Sequence, residues 1–330
     1  MSLRDGPKTL ANCGKTDVKE DAFVPESPLF NAARFGLNAR MNTVAISLLG
    51  LCGFVAMTLP VAGAESVGVG NSFKGPVGLQ LYSLRAEFTR NVPATLDKVK
   101  SYGIRDVELA STYNLTPAKF KEMLDERGFN PVSIHFPYER YAADPEAVAR
   151  DAKALGVRYA GCAWIPHEGA FDEQECRAAA TVFNKAGAAL AKQGIRFFYH
   201  AHGFEFQPHG DGTLLDLLMK ETTPGLVSFQ MDVLWIVFPG QDPVKLLEKY
   251  KGRWELMHLK DLKKGVATGS LSGNTDVSNN VVLGTGQMDW PAILAASKEA
   301  GIKHYFIEDE SPIAAEQIPQ SLKYLEQVKF

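Results

Sequence analysis

The stretch Tyr199-His200-Ala201-His202-Gly203-Phe204-Glu205 follows the apolar run Ile195-Arg196-Phe197-Phe198. Side chains alternate faces along an extended strand, so His200 and His202 point the same way, with Glu205 just past the strand end. Three later apolar runs close on a similar group: Met231-Asp232, Met257-His258 and Ile307-Glu308. A divalent metal needs several imidazole or carboxylate donors with positions left open for substrate. Convergence of Asp232, His258 and Glu308 with His200 would supply that set. Mixed His and carboxylate donors suit manganese, cobalt, iron or zinc better than magnesium or calcium.

Four strand ends meet only if the fold brings them together. From Val77 onward the chain alternates short apolar runs with helical segments. Thr116-Pro117, Asp144-Pro145 and Asp242-Pro243 open helices, and Gly128, Gly156 and Gly252 close them. The runs are continuously apolar, as in a parallel sheet covered on both faces. Eight such strand–helix units predict an α/β fold, a single (β/α)8 TIM barrel over residues 77–330. An open doubly wound sheet would carry a Gly-rich phosphate turn after its first strand, and none follows Leu79-Gln80-Leu81-Tyr82-Ser83. The Gly-, Ser- and Asn-containing loop 263–280 reads as a lid or insertion at the catalytic face.

In such a barrel the active site sits at the C-terminal ends of the strands. Glu108, His135, Lys260 and Asp261 join the metal candidates there. Glu308, His135 and Glu108 are the candidate bases. His202, Glu205, Lys260, Tyr82 and Trp235 are the candidate substrate contacts, with Phe136 and Trp164 as further aromatics near the strand ends.

The first 64 residues differ from the rest. Residues 1–40 lack a sustained period. Residues 41–64 form a leader: a basic flank at Arg34 and Arg40, an apolar core from Val44 to Leu59, and a small-residue exit at Val61-Ala62-Gly63-Ala64. The apolar run falls short of the roughly 20 residues that span a bilayer. The expectation is export to the periplasm or beyond, without stable membrane association after cleavage, and with residues 65–76 as a linker. Cys162 and Cys176 are expected as buried thiols rather than a bridge. A formal net charge of −3 argues against a nucleic-acid partner. The expected partner is a small-molecule carbohydrate, with a homo-oligomer left open.

The chain resembles the sugar phosphate isomerase/epimerase group of xylose isomerase-like TIM barrels. The resemblance rests on Gly78-Leu79-Gln80-Leu81-Tyr82-Ser83, Asp106-Val107-Glu108, Tyr199-His200-Ala201-His202 and Met231-Asp232-Val233. His258-Leu259-Lys260-Asp261, Gly284-Thr285-Gly286 with Met288-Asp289-Trp290, and Phe306-Ile307-Glu308 complete it. It implies a metal held at the ends of strands five to eight by Glu, Asp, His and Glu in the epimerases. Asp232, His258 and Glu308 match the last three, and His200 stands where the epimerases have Glu. The implied activity is isomerisation or epimerisation of a non-phosphorylated sugar or keto-sugar through an enediolate. Lyase or hydrolase action on 3-keto-glycosides, and a non-catalytic sugar-binding barrel, are the alternatives. An AP endonuclease of the same fold would need more metal ligands and a basic face.

Overall fold

The computed structural model describes residues 67–330. Eight parallel strands close into a barrel: β1 (Val77–Gln80), β2 (Asp106–Leu109), β3 (Asn130–His135), β4 (Tyr159–Cys162), β5 (Arg196–His200), β6 (Val227–Asp232), β7 (Trp254–Leu259) and β8 (His304–Ile307). β8 pairs with β1 through Val77↔Tyr305 and its neighbours, which completes the ring. The expected (β/α)8 barrel is the observed fold. The segment 1–40 and the leader at 41–64 lie outside the described residues. Of the expected linker, residues 67–76 make turns against the barrel. Phe73 is buried edge-on against Tyr305, and Gly68 N–H donates to Glu326.

The outer helices are α1 (Val92–Ser101), α2 (Pro117–Asp125), α3 (Pro145–Leu155), α4 (Glu173–Ala191), α5 (Leu214–Glu221), α6 (Pro243–Lys249), α7 (Trp290–Ala300) and α8 (Ala314–Gln327). Local chemistry fixes their ends. Thr116 and Asp144 accept from the third backbone N–H of α2 and α3, each with Pro in the first turn. Gly156 and Gly301 end α3 and α7 with positive φ of 73° and 87°, where a Cβ would be strained.

Strand alternation sorts the side chains. On β5, Phe197 and Tyr199 face the helices while Phe198 and His200 point inward. Phe198, Val132, Tyr159, Leu256 and Phe306 form a separate apolar plug inside the barrel. The polar residues of interest follow two positions later on the same strands, at His200, His258 and Glu308, so the plug floors the site. Cys162 and Cys176 are buried free thiols, on Trp164 and Leu214 carbonyls respectively. Among the described residues no helix is long and apolar enough to cross a membrane.

Candidate active site

Glu108 on β2 is the centre of the site's floor. Its carboxylate, wholly buried, accepts from Gln80 Nε2 at 2.7 Å, Ser133 Oγ at 2.6 Å and Gln230 Nε2 at 2.9 Å, and from His258 Nε2. His135 Nε2 lies 3.4 Å away. Burial pushes this carboxyl up, but His135, His258 and the hydrogen bonds outweigh it and hold the group at about 2. Glu108 was expected as a candidate base at the mouth. It is instead a sealed acceptor beneath the site.

Gln230 fixes the tautomers above it. Its amide nitrogen is turned to Glu108, so its Oε1 must accept from His200 Nδ1 at 3.0 Å and from His135 Nε2 at 3.1 Å. Burial keeps both rings below the usual histidine range and hence neutral. Each neutral ring then has its other nitrogen unprotonated: Nε2 of His200 and Nδ1 of His135.

Asp232, His258 and Glu308 present ligand atoms within 4.8 Å of one another, and His135, His200 and His258 form a second such group. His258 Nδ1 lies 3.1 Å from Glu308 Oε2 and 3.7 Å from Asp232 Oδ2. His200 Nε2 is 4.0 Å from the same Asp232 oxygen. Asp232 Oδ1 accepts from the Leu234 and Trp235 N–H groups, but its buried Oδ2 has no hydrogen-bond partner among the described residues. An unpaired buried carboxylate oxygen is costly unless a cation meets it. With two imidazoles and Glu308 around it, the donor set fits a divalent metal. His258 would bind through Nδ1 while Nε2–H donates to Glu108, the carboxylate–histidine–metal arrangement that orients a ligand ring.

Lys260 is buried beside these ligands, 3.0 Å from Glu308, 2.6 Å from Glu310 and 3.6 Å from Asp232. Burial pulls its ammonium down, but the three carboxylates more than offset this and keep it charged. Glu308, expected as a ligand and a base, is held well below the usual carboxylate range: burial opposes this, and Lys260 and His258 override it. That makes it a poor proton acceptor and suits its carboxylate to a cation. Asp261 faces away and accepts from the Gly284, Gly286 and Met288 N–H groups and from Trp290 Nε1, so it organises the Gly-Thr-Gly turn before α7.

Above the floor a cavity of about 410 Å³ opens at the C-terminal ends of the strands. His135, His200, His202, Trp235, Tyr82 and Glu308 line it, as expected. His202 sits past the end of β5 but stays against His200, their ring centroids 4.6 Å apart, between Trp164 and Trp235. Phe136 packs on Tyr141 and Arg140 instead. Gln80, Trp164, Asn280 and Glu310 also line the cavity and were not among the candidates, apart from Trp164 as a possible sugar-stacking aromatic. The loop expected as a lid lies against the mouth. A Cβ on Gly203 would meet Ser272 O at 2.5 Å, and one on Gly273 would meet Trp164 at 2.6 Å, so glycine at both positions permits this approach. A larger cleft of about 1050 Å³ opens near Val67, Lys100 and Arg127, at the opposite end of the strands. Barrel chemistry is not sited there.

Glu205 does not reach the cavity. It is buried behind His202, accepting from the His202 N–H at 3.0 Å and from the Tyr199 hydroxyl, and so fixes the turn that carries His202. Burial raises its carboxyl to about 7, against hydrogen bonds that act the other way. The folded state therefore binds this proton more tightly than the unfolded chain. Stability from this group is greatest below pH 4.5 and declines as pH rises toward 7. Glu205→Gln should lack that slope. Urea unfolding of both proteins between about pH 5 and 8 checks it, and parallel curves would refute the assignment.

Residues 96–328 match the family model described as xylose isomerase-like TIM barrel. An inosose dehydratase of Lacticaseibacillus casei is 26% identical over 257 residues, which cover 69% of this chain and 85% of that protein. A sugar phosphate isomerase/epimerase from Parabacteroides distasonis superposes with a TM-score of 0.64 at 26% identity, covering 81% of this chain and 98% of that one. A structure of the IOLI protein with a bound zinc atom superposes with a TM-score of 0.60 at 15% identity, covering 76% and 95% of the two chains, and shares the fold.

Proposed function

Since the chain belongs to the xylose isomerase-like TIM barrel family, we propose that it is a metal-dependent lyase that removes water from a non-phosphorylated keto-sugar or ketocyclitol. The observation that carries this reading is the commitment of the three glutamates at the site. Glu308 and Glu310 are paired with Lys260, Glu310 also with Arg85, and Glu108 is saturated by its donors. A two-carboxylate proton shuttle, which epimerisation on opposite faces would use, finds no free pair. Outside the metal set two neutral histidines, His135 and His202, face the cavity, and His135 is the one whose ring is oriented by a side-chain hydrogen bond, to Gln230. The dehydratase relative supports the same outcome.

Asp232, His258, Glu308 and His200 would hold the metal, which as a Lewis acid would polarise the substrate carbonyl and make the adjacent C–H more acidic. His135 Nδ1 takes the proton α to the carbonyl. Its Nε2–H stays on Gln230, so the ring keeps its orientation through the transfer. The electron pair of that C–H bond forms the new double bond as the β-hydroxyl departs, and the proton on His135 leaves with it as water. Lys260 holds Glu308 ionised throughout.

A phosphate group is disfavoured. The amide groups of Gly284, Gly286 and Met288 are filled by Asp261, and the buried Lys260 ammonium beneath the cavity wall is spent on carboxylates. Tyr82 and Trp164 stand 43% and 41% exposed at the mouth. They favour, as a second reading, a keto-glycoside whose leaving group is an alcohol with a ring to stack. The test is incubation of the zinc- or manganese-loaded protein with inosose and with a 3-keto-glucoside in deuterated water. Loss of water or alcohol is expected, with the α hydrogen of the substrate lost and deuterium entering the product only at the former β carbon, where the enol ketonises. Clean epimerisation without elimination would reject the lyase reading.

A further inference from the structure

Asn280 ends the 263–280 loop and begins the short strand Asn280–Val281, which pairs antiparallel with Asp261–Leu262 just beyond β7. Leu262 is its register partner, so Asn280 is anchored two residues from Lys260 by backbone pairing. The residue is 2% exposed and lines the cavity. Its Oδ1 accepts from the Glu310 N–H at 3.1 Å, which sets the orientation of the amide. Its Nδ2, with two N–H donors, is buried and has no hydrogen-bond partner among the described residues.

Leaving such a donor unpaired is costly, and native structures rarely do so without a reason. Apart from His202 Nδ1, which is also buried without a partner, the neighbouring buried donors are committed. Gln80 and Gln230 give their amide hydrogens to Glu108, and Lys260 gives its own to Glu308 and Glu310. The metal-binding side is rich in acceptors, so an oxygen of the ligand remote from that side has one uncommitted buried amide to meet.

We propose that Asn280 is a specificity-determining residue that donates from Nδ2 to a hydroxyl oxygen of the bound polyol. This rests on the keto-sugar reading above and deepens it. Because Asn280 is the hinge between the 263–280 loop and the barrel, the contact also ties the loop to an occupied site. The ligand must present an oxygen acceptor there; a carbon lacking its hydroxyl leaves the amide unpaired.

The experiment titrates the full-length, metal-loaded protein with inosose, following the fluorescence of Trp164 and Trp235, and measures water loss in parallel. Asn280→Asp keeps the acceptor for the Glu310 N–H and replaces the donor by an oxygen. Asn280→Ala removes both. Each variant should weaken binding by about 10- to 100-fold, with kcat at saturation changed by less than about tenfold. One monodeoxy-inosose should lose a similar factor against the wild type and almost nothing further against Asn280→Ala. If Asn280→Ala does not fold, Asn280→Asp decides alone. Affinities within about twofold of the wild type overturn the proposal. Tight binding without water loss would sink the lyase reading while leaving Asn280 to be judged on the affinity ratio. Failure of the wild type to bind inosose would overturn both.

Discussion

Asp232→Asn is expected to keep the fold and lose the metal. The two carboxylate oxygens have separate jobs. Oδ1 caps the helix Val233–Val237, accepting from Leu234 N at 2.9 Å and Trp235 N at 3.3 Å. Asparagine caps a helix about as well as aspartate, so this contact survives. Oδ2 is the unpartnered atom facing His258, His200 and Lys260. The substitution puts an NH2 there, with no lone pair to offer and with its hydrogens toward the Lys260 ammonium.

If a four-donor site is worth about 10–16 kcal/mol, one donor carries on average about 3 kcal/mol, and affinity falls on the order of 10²-fold. Loss of the anionic ligand and of carbonyl polarisation together should lower kcat/KM by at least about 10³-fold. Metal analysis of the gel-filtered protein reads the first effect. Thermal unfolding with and without chelator reads the same event independently: chelation should destabilise the wild type and leave the variant unchanged. A variant that retains a full equivalent of metal would instead favour the His135, His200 and His258 group, and His135→Ala would then be the substitution that strips it.

The parts of the site that follow from strand periodicity were legible in the sequence. His200, His258 and Glu308 each end an apolar run, and the barrel brings those ends together. Gln230 was legible in principle: it stands two residues before Asp232 on β6, and period two puts both on the inward face. It was passed over because an uncharged amide does not announce chemistry, although here it sets the tautomers of two histidines. Glu205 misled for the opposite reason. Its place just past the strand end suggested a substrate contact, but the chain leaves the strand at His200 and a one-turn helix over Phe204–Phe206 turns the carboxylate back under the backbone. Position along the barrel axis also escapes a pattern of residue types. Glu108 and Glu308 both sit at strand ends, yet one lies beneath four donors and the other at the cavity wall. Asn280 belongs to a loop with no period, so only its burial and its orphaned amide mark it.

Glu108→Gln is the second large effect, and it acts through the residues above rather than on substrate. The carboxylate accepts from Gln80, Ser133, Gln230 and His258 with two oxygens. A glutamine has one acceptor oxygen and brings two N–H groups of its own into a ring of donors. At least one of the four loses its partner in a buried, low-dielectric position, so the network is expected to cost about 3–5 kcal/mol of stability. His258 Nε2–H also loses its charged acceptor, which should weaken metal binding by about 10- to 100-fold with all four ligands still present. The pH dependence separates this from a packing defect. Glu108 titrates at about 2 in the folded protein against 4.5 ordinarily, so between those values the unfolded chain binds the extra proton. Its stabilising contribution is complete above pH 4.5 and is lost as pH falls toward 2. Urea midpoints measured from about pH 6 down to 3 should fall for the wild type, and fall less for Glu108→Gln, so that the two curves converge in acid. Curves that stay parallel, or a variant as stable as the wild type at neutral pH, would mean that Glu108 does not organise the floor of the site.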